Sequence, residues 1–548
     1  MKVAVVGSGV SGLGATWLLN EYSEHEVHLF ESDHRPGGHA NTVTYSPPGR
    51  EPTDVDTSIV FNPSTYPNFI NFLHIFPDLA ERILPTEMTF SVSRNRGEFE
   101  WAGNNLMTVF CQPSRLLDPE MWRLIYDVLR FNACTQNLLR DIKDEGDVLG
   151  EELSIDMYLK QNGYTLGAVI ACTHMSYQPM TAAVWSTPPD KCALDFPART
   201  YFVQIQFMYN HHLLQITGKP KWLTLRGGSR TYVRKIISRL PPSQLHLSTP
   251  IKALRTTQTS EKSHQVELTT ASGETQSFDH VILACHTDTT VDILNAGDGM
   301  TEEEAKILQC FRWNRNEAML HCDQRLMPRS RLAWSCWNYL TESVTDMAGK
   351  YLPNVNRVSL TYWMNELQHL PTKDHGDVLV TLNPPFEPDP ALTFGRYKYD
   401  HPILSDEAIR AQSALPTIQN TRGVSYAGAW TKYGFHEDGF SSGLRAAASL
   451  FPATTPSSAF AHRETVAAPG LPFAIRPADR MPPRYVVLVA GAFEFVHENA
   501  LAGMLGTLFF AVLACVRVVL GQLPGVDLSH LERRGGGAAE LGTKGKRD

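Results

Sequence analysis

The first 31 residues confine the chain to one kind of opening. Lys2–Val6 is a short apolar run that reads as a buried parallel strand. Gly7-Ser8-Gly9-Val10-Ser11-Gly12 has the Gly-x-Gly-x-x-Gly spacing, and Gly14–Leu19 continues as a helix. A second strand over Val27–Phe30 ends at Glu31, nineteen residues past Gly12. In this frame Gly7 permits the tight turn, Gly9 lets the backbone approach a pyrophosphate, and Gly12 allows close packing of helix on strand. Val10 and Ser11 open the helix, whose first N–H groups and partial positive charge suit phosphate. Glu31 can accept hydrogen bonds from a ribose. The glycines alone are a weak signal. Strand, turn, helix, strand and acid in that order predict an α/β, Rossmann-like dinucleotide-binding domain.

At 548 residues the chain exceeds the usual limit of a single core, so two or more domains are expected. A charged fraction of 19% with 43% hydrophobic residues is globular, and a net charge of −8 argues against a nucleic-acid surface. Nine cysteines are scattered and never spaced Cys-x-x-Cys, which points to free thiols in a reducing compartment. The nucleotide strand begins at Lys2, which leaves no room for a secretory signal before it. The histidines do not pair at metal-ligand intervals, so no metal is expected.

The residues after Glu31 choose the dinucleotide. Glu31-Ser32-Asp33-His34-Arg35-Pro36-Gly37-Gly38-His39 resembles the Glu-x-x-x-Arg-x-Gly-Gly-Arg signature of the amine-oxidase-like flavoproteins, with His39 in place of the arginine. The resemblance implies FAD, with Arg35 in reach of phosphate and Gly37-Gly38 passing close to the cofactor. Phe278–Ala284, followed by Cys285-His286, reads as a buried strand ending at the cofactor. Leu245–Leu254 resembles the strand that touches adenine, with Ile251 in the contact position. Val424–Trp430, with Gly428, leads into Thr431–Gly439, and a helix is expected over Ser441–Ala448. In such flavoproteins this second helix N-terminus, here Gly439-Phe440, lies against the flavin end and stabilises negative charge there.

From Met1 to about Leu450 the chain is similar to one branch of that superfamily. This branch also supplies the N-terminal oxidase-like domain of plant cyclopropane fatty acid synthases. The marks are Gly37–Thr42, Val55–Asn62, Asn210–Leu214, Gly227–Val233, Ala333–Tyr339, Thr361–Asn365, Asp400–Pro402 and Gly434–Gly439. Asp56 would contact cofactor in the second block, where Ser58 stands for the usual glycine. The resemblance implies a fatty-acyl or lipid substrate. It also implies an amine-oxidase-like architecture: FAD domain 1–75, 222–300 and 415–452, with a discontinuous α+β substrate domain over 76–221 and 301–414. Met121–Leu153 reads as helical, and Val358–Met364 and Asp377–Leu382 read as strands. A proline-, alanine- and serine-rich linker is expected over 453–484, then a tail over 485–548. Asn499–Val516 is uncharged and apolar around its whole circumference, which favours a membrane helix over 499–520. The protein would then sit on the cytoplasmic side of a membrane, or be soluble and cytoplasmic if that helix docks on the core.

Flavin oxidation needs a hydride acceptor and a substrate held near it; a protein base is optional. The amine oxidases hold a water at the flavin with a lysine, in a strand resembling Asn314–Cys322, and this strand has none. Phe435 matches one of their two flavin-flanking aromatics. His211, His212, His401 and His436 are candidate proton carriers, with Tyr433 and Glu437 beside the last. Hydride transfer from an apolar, lipid-like substrate to FAD, with dioxygen as reoxidant, is the first reading. An amine oxidase is the second. The third is a non-catalytic flavoprotein that partners a lipid methyltransferase.

Overall fold

The computed structural model describes residues 1–57, 60–145, 162, 164, 206–212, 220–260, 263–345, 351–451, 460, 464–479, 482–499 and 501–521. Ser58 and the end of the expected helix, 146–153, lie outside them. Along the chain, the elements that frame the site begin with β1 (Lys2–Val6), α1 (Val10–Tyr22), β2 (Glu26–Phe30) and α2 (Pro67–Ile75). Next come β3 (Phe90–Arg94), β4 (Phe99–Ala102), α3 (Pro119–Glu145), α4 (Arg230–Ile237), β5 (Leu245–His246) and β6 (His280–Leu283). After these follow β7 (Arg312–His321), β8 (Trp337–Thr345), β9 (Tyr351–Trp363), β10 (Leu379–Leu382) and β11 (Thr393–Ile403). The last are β12 (Val424–Tyr426), α5 (His436–Ala448), α6 (Val486–Glu498) and α7 (Leu501–Gly521).

Two sheets carry the architecture. The first is parallel throughout, in the order β12-β6-β1-β2-β5. Its strands are apolar runs because both faces are covered. Val3, Val5, Leu29 and Ile282 point towards α1, α2, α4 and α5, while Ala4, Val6, Phe30, Val281 and Leu283 join a second cluster on the other face. The chain therefore enters this sheet in three separated passes. An antiparallel meander over 251–278 covers part of the second face. The larger sheet runs β11-β7-β10-β9-β8-β3-β4 and is antiparallel except for the β8–β3 pair.

Close contact between α1 and α5 joins the two ends of the nucleotide domain. A Cβ on Gly14 would stand 3.0 Å from the Phe440 ring, one on Gly439 2.5 Å from Val10 Cγ1, and one on Gly443 inside the van der Waals envelope of Ser11 O. Glycine at these positions is what lets the helices meet. Phe440 then stacks near Trp17, and Phe72 and Phe69 close the cluster at centroid distances of 5.1 and 5.5 Å. Each phenylalanine buried this way contributes roughly 1.5–3 kcal/mol.

Two expectations meet different outcomes in the C-terminal part. Within the stretch expected as a linker, Val466 and Ile475 exchange backbone hydrogen bonds of 2.9 Å and are buried in the α1–α2 core. Arg476 N donates to Asn68 Oδ1 at 2.8 Å, so 464–479 is docked rather than free-running. Among the described residues no helix is long and apolar enough to cross a membrane, which leaves the transmembrane reading of 499–520 without support. The helix there, α7, touches α3, where Phe509 meets Trp122 edge-on at 5.5 Å, and Phe493 of α6 meets Tyr126 at 5.9 Å. Arg517 interrupts its apolar run.

Candidate active site

The nucleotide half is built by three linked loops. Gly7 takes φ +100°, and a Cβ there would meet Ala284 O at 2.9 Å. A Cβ on Gly12 would fall onto Gly7 O, whereas one on Gly9 would meet nothing within 4 Å. The turn is thus closed on its inner side and open at Gly9, where a phosphate must approach. Gly37 and Gly38 both have positive φ, and Gly38 lies against Gly9 Cα. The first-turn N–H groups of α1, at Val10, Ser11 and Gly12, have no intrahelical acceptor, as at any helix start. These features suit a pyrophosphate.

Glu31 ties the loops together. One carboxylate oxygen accepts from the Ser8 N–H (2.9 Å) and the Ser8 hydroxyl, and the other from Asp33 N (2.9 Å) and Ser32 Oγ (3.1 Å). Ser8 Oγ in turn accepts from Gly37 N at 3.1 Å. Thr249 N donates to Glu31 O at 2.8 Å, which sets Ile251 on the same side as the acid. Arg35 turns back on its own loop, with Nη2 donating to Gly38 O at 2.9 Å. Asp56 is buried behind the loops and does not face the cavity: its carboxylate accepts from Thr42 Oγ1 (2.9 Å) and from Ser229 N at the start of α4.

Beyond Val10 opens a cavity of about 210 Å³ between the two sheets. His39, Ala429, Gly434, Phe435 and His436 form its nucleotide-side wall. From the larger sheet and its neighbours come Met88, Trp337, Tyr362, Met364, Leu367, Leu382, Tyr399 and His401, and Tyr66, Phe207 and Trp222 close the rest. Among the described lining residues there is no carboxylate, lysine or arginine.

The predicted catalytic group divides. Phe435 and His436 line the cavity; Tyr433, Glu437 and His211 do not. The final helix begins at His436, five residues before the expected Ser441, because Asp438 accepts the Phe435 N–H at 3.0 Å and caps it. Glu437 therefore falls on the helix side turned towards α2. There it accepts from Asn68 N (3.0 Å), Asn68 Nδ2 (2.8 Å), Phe69 N (3.0 Å) and Ser441 Oγ (2.9 Å), capping the start of α2. Burial pushes its carboxyl up to about 7. Tyr433 donates its hydroxyl to Asp479 at 3.0 Å. His211 stacks on Phe207 at 4.0 Å, behind the wall, and bonds Phe207 O through Nδ1. His436 is 3.1 Å from the Tyr232 hydroxyl through Nε2, and burial pulls its imidazole down to about 3. On the cofactor side, Phe440 belongs to the core rather than to the site, enclosed by Gly14, Trp17, Phe69 and Phe72. Gly428 donates its N–H to Ser442 Oγ at 2.9 Å and so places Ala429 at the wall.

Sequence reasoning passed over Tyr399 and gave His401 no assigned place. Both lie on β11, two residues apart, so they share the face that meets the cavity. The alternation Tyr397, Tyr399, His401 is the signal that could have found them. His39 at the wall has His286 and His401 as ring neighbours, with centroids 5.6 and 5.8 Å away. Burial pulls all three imidazoles down, His401 to about 4.

Residues 5–76 match the NAD(P)-binding Rossmann-like domain family. Among solved structures the chain is similar to the fatty acid isomerase of P. acnes that produces CLA, at 13% identity and a TM-score of 0.55, covering 82% of this chain and 98% of that one. Cyclohexylamine oxidase from Brevibacterium oxydans is similar at 13% identity and a TM-score of 0.52, with the same coverage. A UDP-galactopyranose mutase follows at 16% identity and 0.51, covering 84% of this chain and 97% of that one. Among curated proteins none matches the chain in sequence. The fold is therefore the amine-oxidase-like one, and its N-terminal segment is a dinucleotide-binding domain.

Proposed function

We propose that the protein is an FAD-dependent oxidoreductase that dehydrogenates an apolar, fatty-acyl or lipid-like substrate, with dioxygen as reoxidant. One observation carries this reading: the open face of Gly9 and the start of α1 lie beside a cavity whose described walls are largely aromatic and aliphatic and bear no fixed charge. FAD, when bound, would supply the hydride acceptor. Gly9, Val10, Ser11, Gly37 and Gly38 would hold its pyrophosphate, and Glu31 its ribose. The start of α5 would face the flavin end with its positive dipole. Phe435, Trp222, Trp337 and Tyr362 exclude water and orient an apolar chain, and neutral His436 holds a proton at the wall. The fold shared with a fatty acid isomerase and the blocks resembling the cyclopropane-synthase branch favour the same substrate class. An amine oxidase fits the cavity less well, since among the described lining residues no carboxylate pairs an ammonium and only ring faces would meet it. The test is anaerobic bleaching of purified protein against lipid extracts and a panel of mono- and polyamines. Bleaching by lipid supports the proposal; bleaching by amines with peroxide release makes the protein an amine oxidase. A colourless chain that refuses added FAD overturns the flavoprotein reading.

A further inference from the structure

A chain of carboxamides fixes the proton on His401. The backbone N–H of Glu317 donates to Asn383 Oδ1 at 3.0 Å, so the Asn383 NH₂ must point the other way. It donates to Asn316 Oδ1 at 2.7 Å, and Asn314 Nδ2 donates to the same oxygen at 3.0 Å. Asn316 is thereby oriented with Nδ2 towards His401 Nδ1, 2.8 Å away. A carboxamide nitrogen only donates, so Nδ1 is the acceptor and the proton of the neutral ring sits on Nε2. β7 and β11 hold this register, with Asn314 opposite His401 and Asn316 opposite Tyr399. With Nδ1 turned to the strand, the Nε2 edge is the one presented to the cavity, and among the described residues it has no hydrogen-bond partner. The neighbouring Tyr399 hydroxyl is already engaged, by Asn41 Nδ2 at 3.1 Å and by Thr57 Oγ1 at 2.5 Å.

We infer that His401 is the polar anchor of the substrate pocket, a fixed Nε2–H donor that selects apolar molecules carrying a hydrogen-bond acceptor such as a carbonyl oxygen, and selects against amines. This rests on the apolar-substrate reading above and deepens it. A donor buried in an apolar wall binds an acceptor and repels another donor, and a protonated amine would bring three donors and a charge into a cavity with no counter-ion among its described lining residues. The aliphatic and aromatic lining takes the body of the molecule, and His401 fixes which end enters.

The experiment compares 2-undecanone with 1-aminoundecane, which match in chain length and differ at the polar end. Binding is read as a change in intrinsic tryptophan fluorescence, to which the cavity's Trp222 and Trp337 contribute, and bound FAD separately from visible absorbance. Loss of the FAD signal in wild type would sink the flavoprotein reading without touching this one. Wild type should bind the ketone at least about tenfold more tightly than the amine. His401→Phe should weaken the ketone by about 3- to 10-fold and leave the amine unchanged, with FAD retained. His401→Gln, which restores an N–H donor, should recover part of that loss. Equal affinities in wild type overturn the inference. So does a His401→Phe protein that keeps the ketone preference. Release of FAD by His401→Phe with the preference intact would assign the donor to the cofactor and also overturns it.

Discussion

Glutamine in place of Glu437 separates an anchoring carboxylate from a catalytic one. Burial lifts this carboxyl from its ordinary 4.5 to about 7, although the N–H groups of Phe69 and Asn68 and the Ser441 hydroxyl pull the other way. Between those two values the folded protein holds a proton that the unfolded chain has released. The group's contribution to stability is therefore complete below pH 4.5 and is lost as pH rises through about 7. Integrated from pH 5 to pH 8, the loss is about 2.5 kcal/mol. Glutamine cannot ionise, so Glu437→Gln should remove that slope. It also turns an NH₂ towards a backbone N–H at the start of α2, an unmet donor worth roughly 1–3 kcal/mol at every pH. Asp438, raised by burial to about 6, adds a slope common to both proteins. The quantity to measure is thus the difference between wild type and variant in urea unfolding, at pH 5 and at pH 8. Wild type should be the more stable at pH 5, by about 2.5 kcal/mol more than at pH 8. Parallel pH profiles would refute the argument. So would a folded, flavin-loaded variant with turnover down by about 10²-fold or more, which would put the carboxylate in the chemistry.

Gly9 and Gly12 should part company on substitution. Gly9→Val, whose side chain enters open space, should shift stability by no more than about 0.5 kcal/mol while weakening FAD binding at least tenfold, read by melting and by flavin titration. Gly12→Ala drives a methyl onto Gly7 O and should lower stability by about 1–3 kcal/mol, with FAD loss following the unfolding. Glu304 is buried against Arg422 (2.7 Å) and the Tyr426 hydroxyl (2.6 Å), so Glu304→Ala should cost about 3–5 kcal/mol in denaturant unfolding. A cost under about 1 kcal/mol would mean that Asp298, 3.1 Å from Arg422, suffices as its partner.

The nucleotide half was legible because its chemistry is local. The turn, the open Gly9 and the acid at Glu31 lie within one βαβ unit, and backbone geometry there depends on residues a few positions apart. Gly439, expected at the cofactor, instead lets α5 meet α1 at Val10. The substrate half was not legible, because adjacency in sequence misleads at a helix start. His436 and Glu437 are neighbours in the chain, yet successive helical residues point about 100° apart, which puts one in the cavity and the other under α2. Phe440 is one turn further along the same side of the helix, where Gly14 and Trp17 already enclose it. His401 shows the opposite failure. Its role depends on Asn316, 85 positions away, and on Asn383, which joins the chain of carboxamides only when β7 pairs with β10 and β11. Histidine types and spacings cannot display a tautomer. Strand register can, because a single backbone N–H at Glu317 decides the direction of every donor that follows. In a pocket with no fixed charge among its described residues, that direction is a strong polar instruction to a ligand. The fold alone is compatible with amine or lipid, and the orientation of three carboxamides is the observation on which the proposed preference for an acceptor-bearing substrate rests.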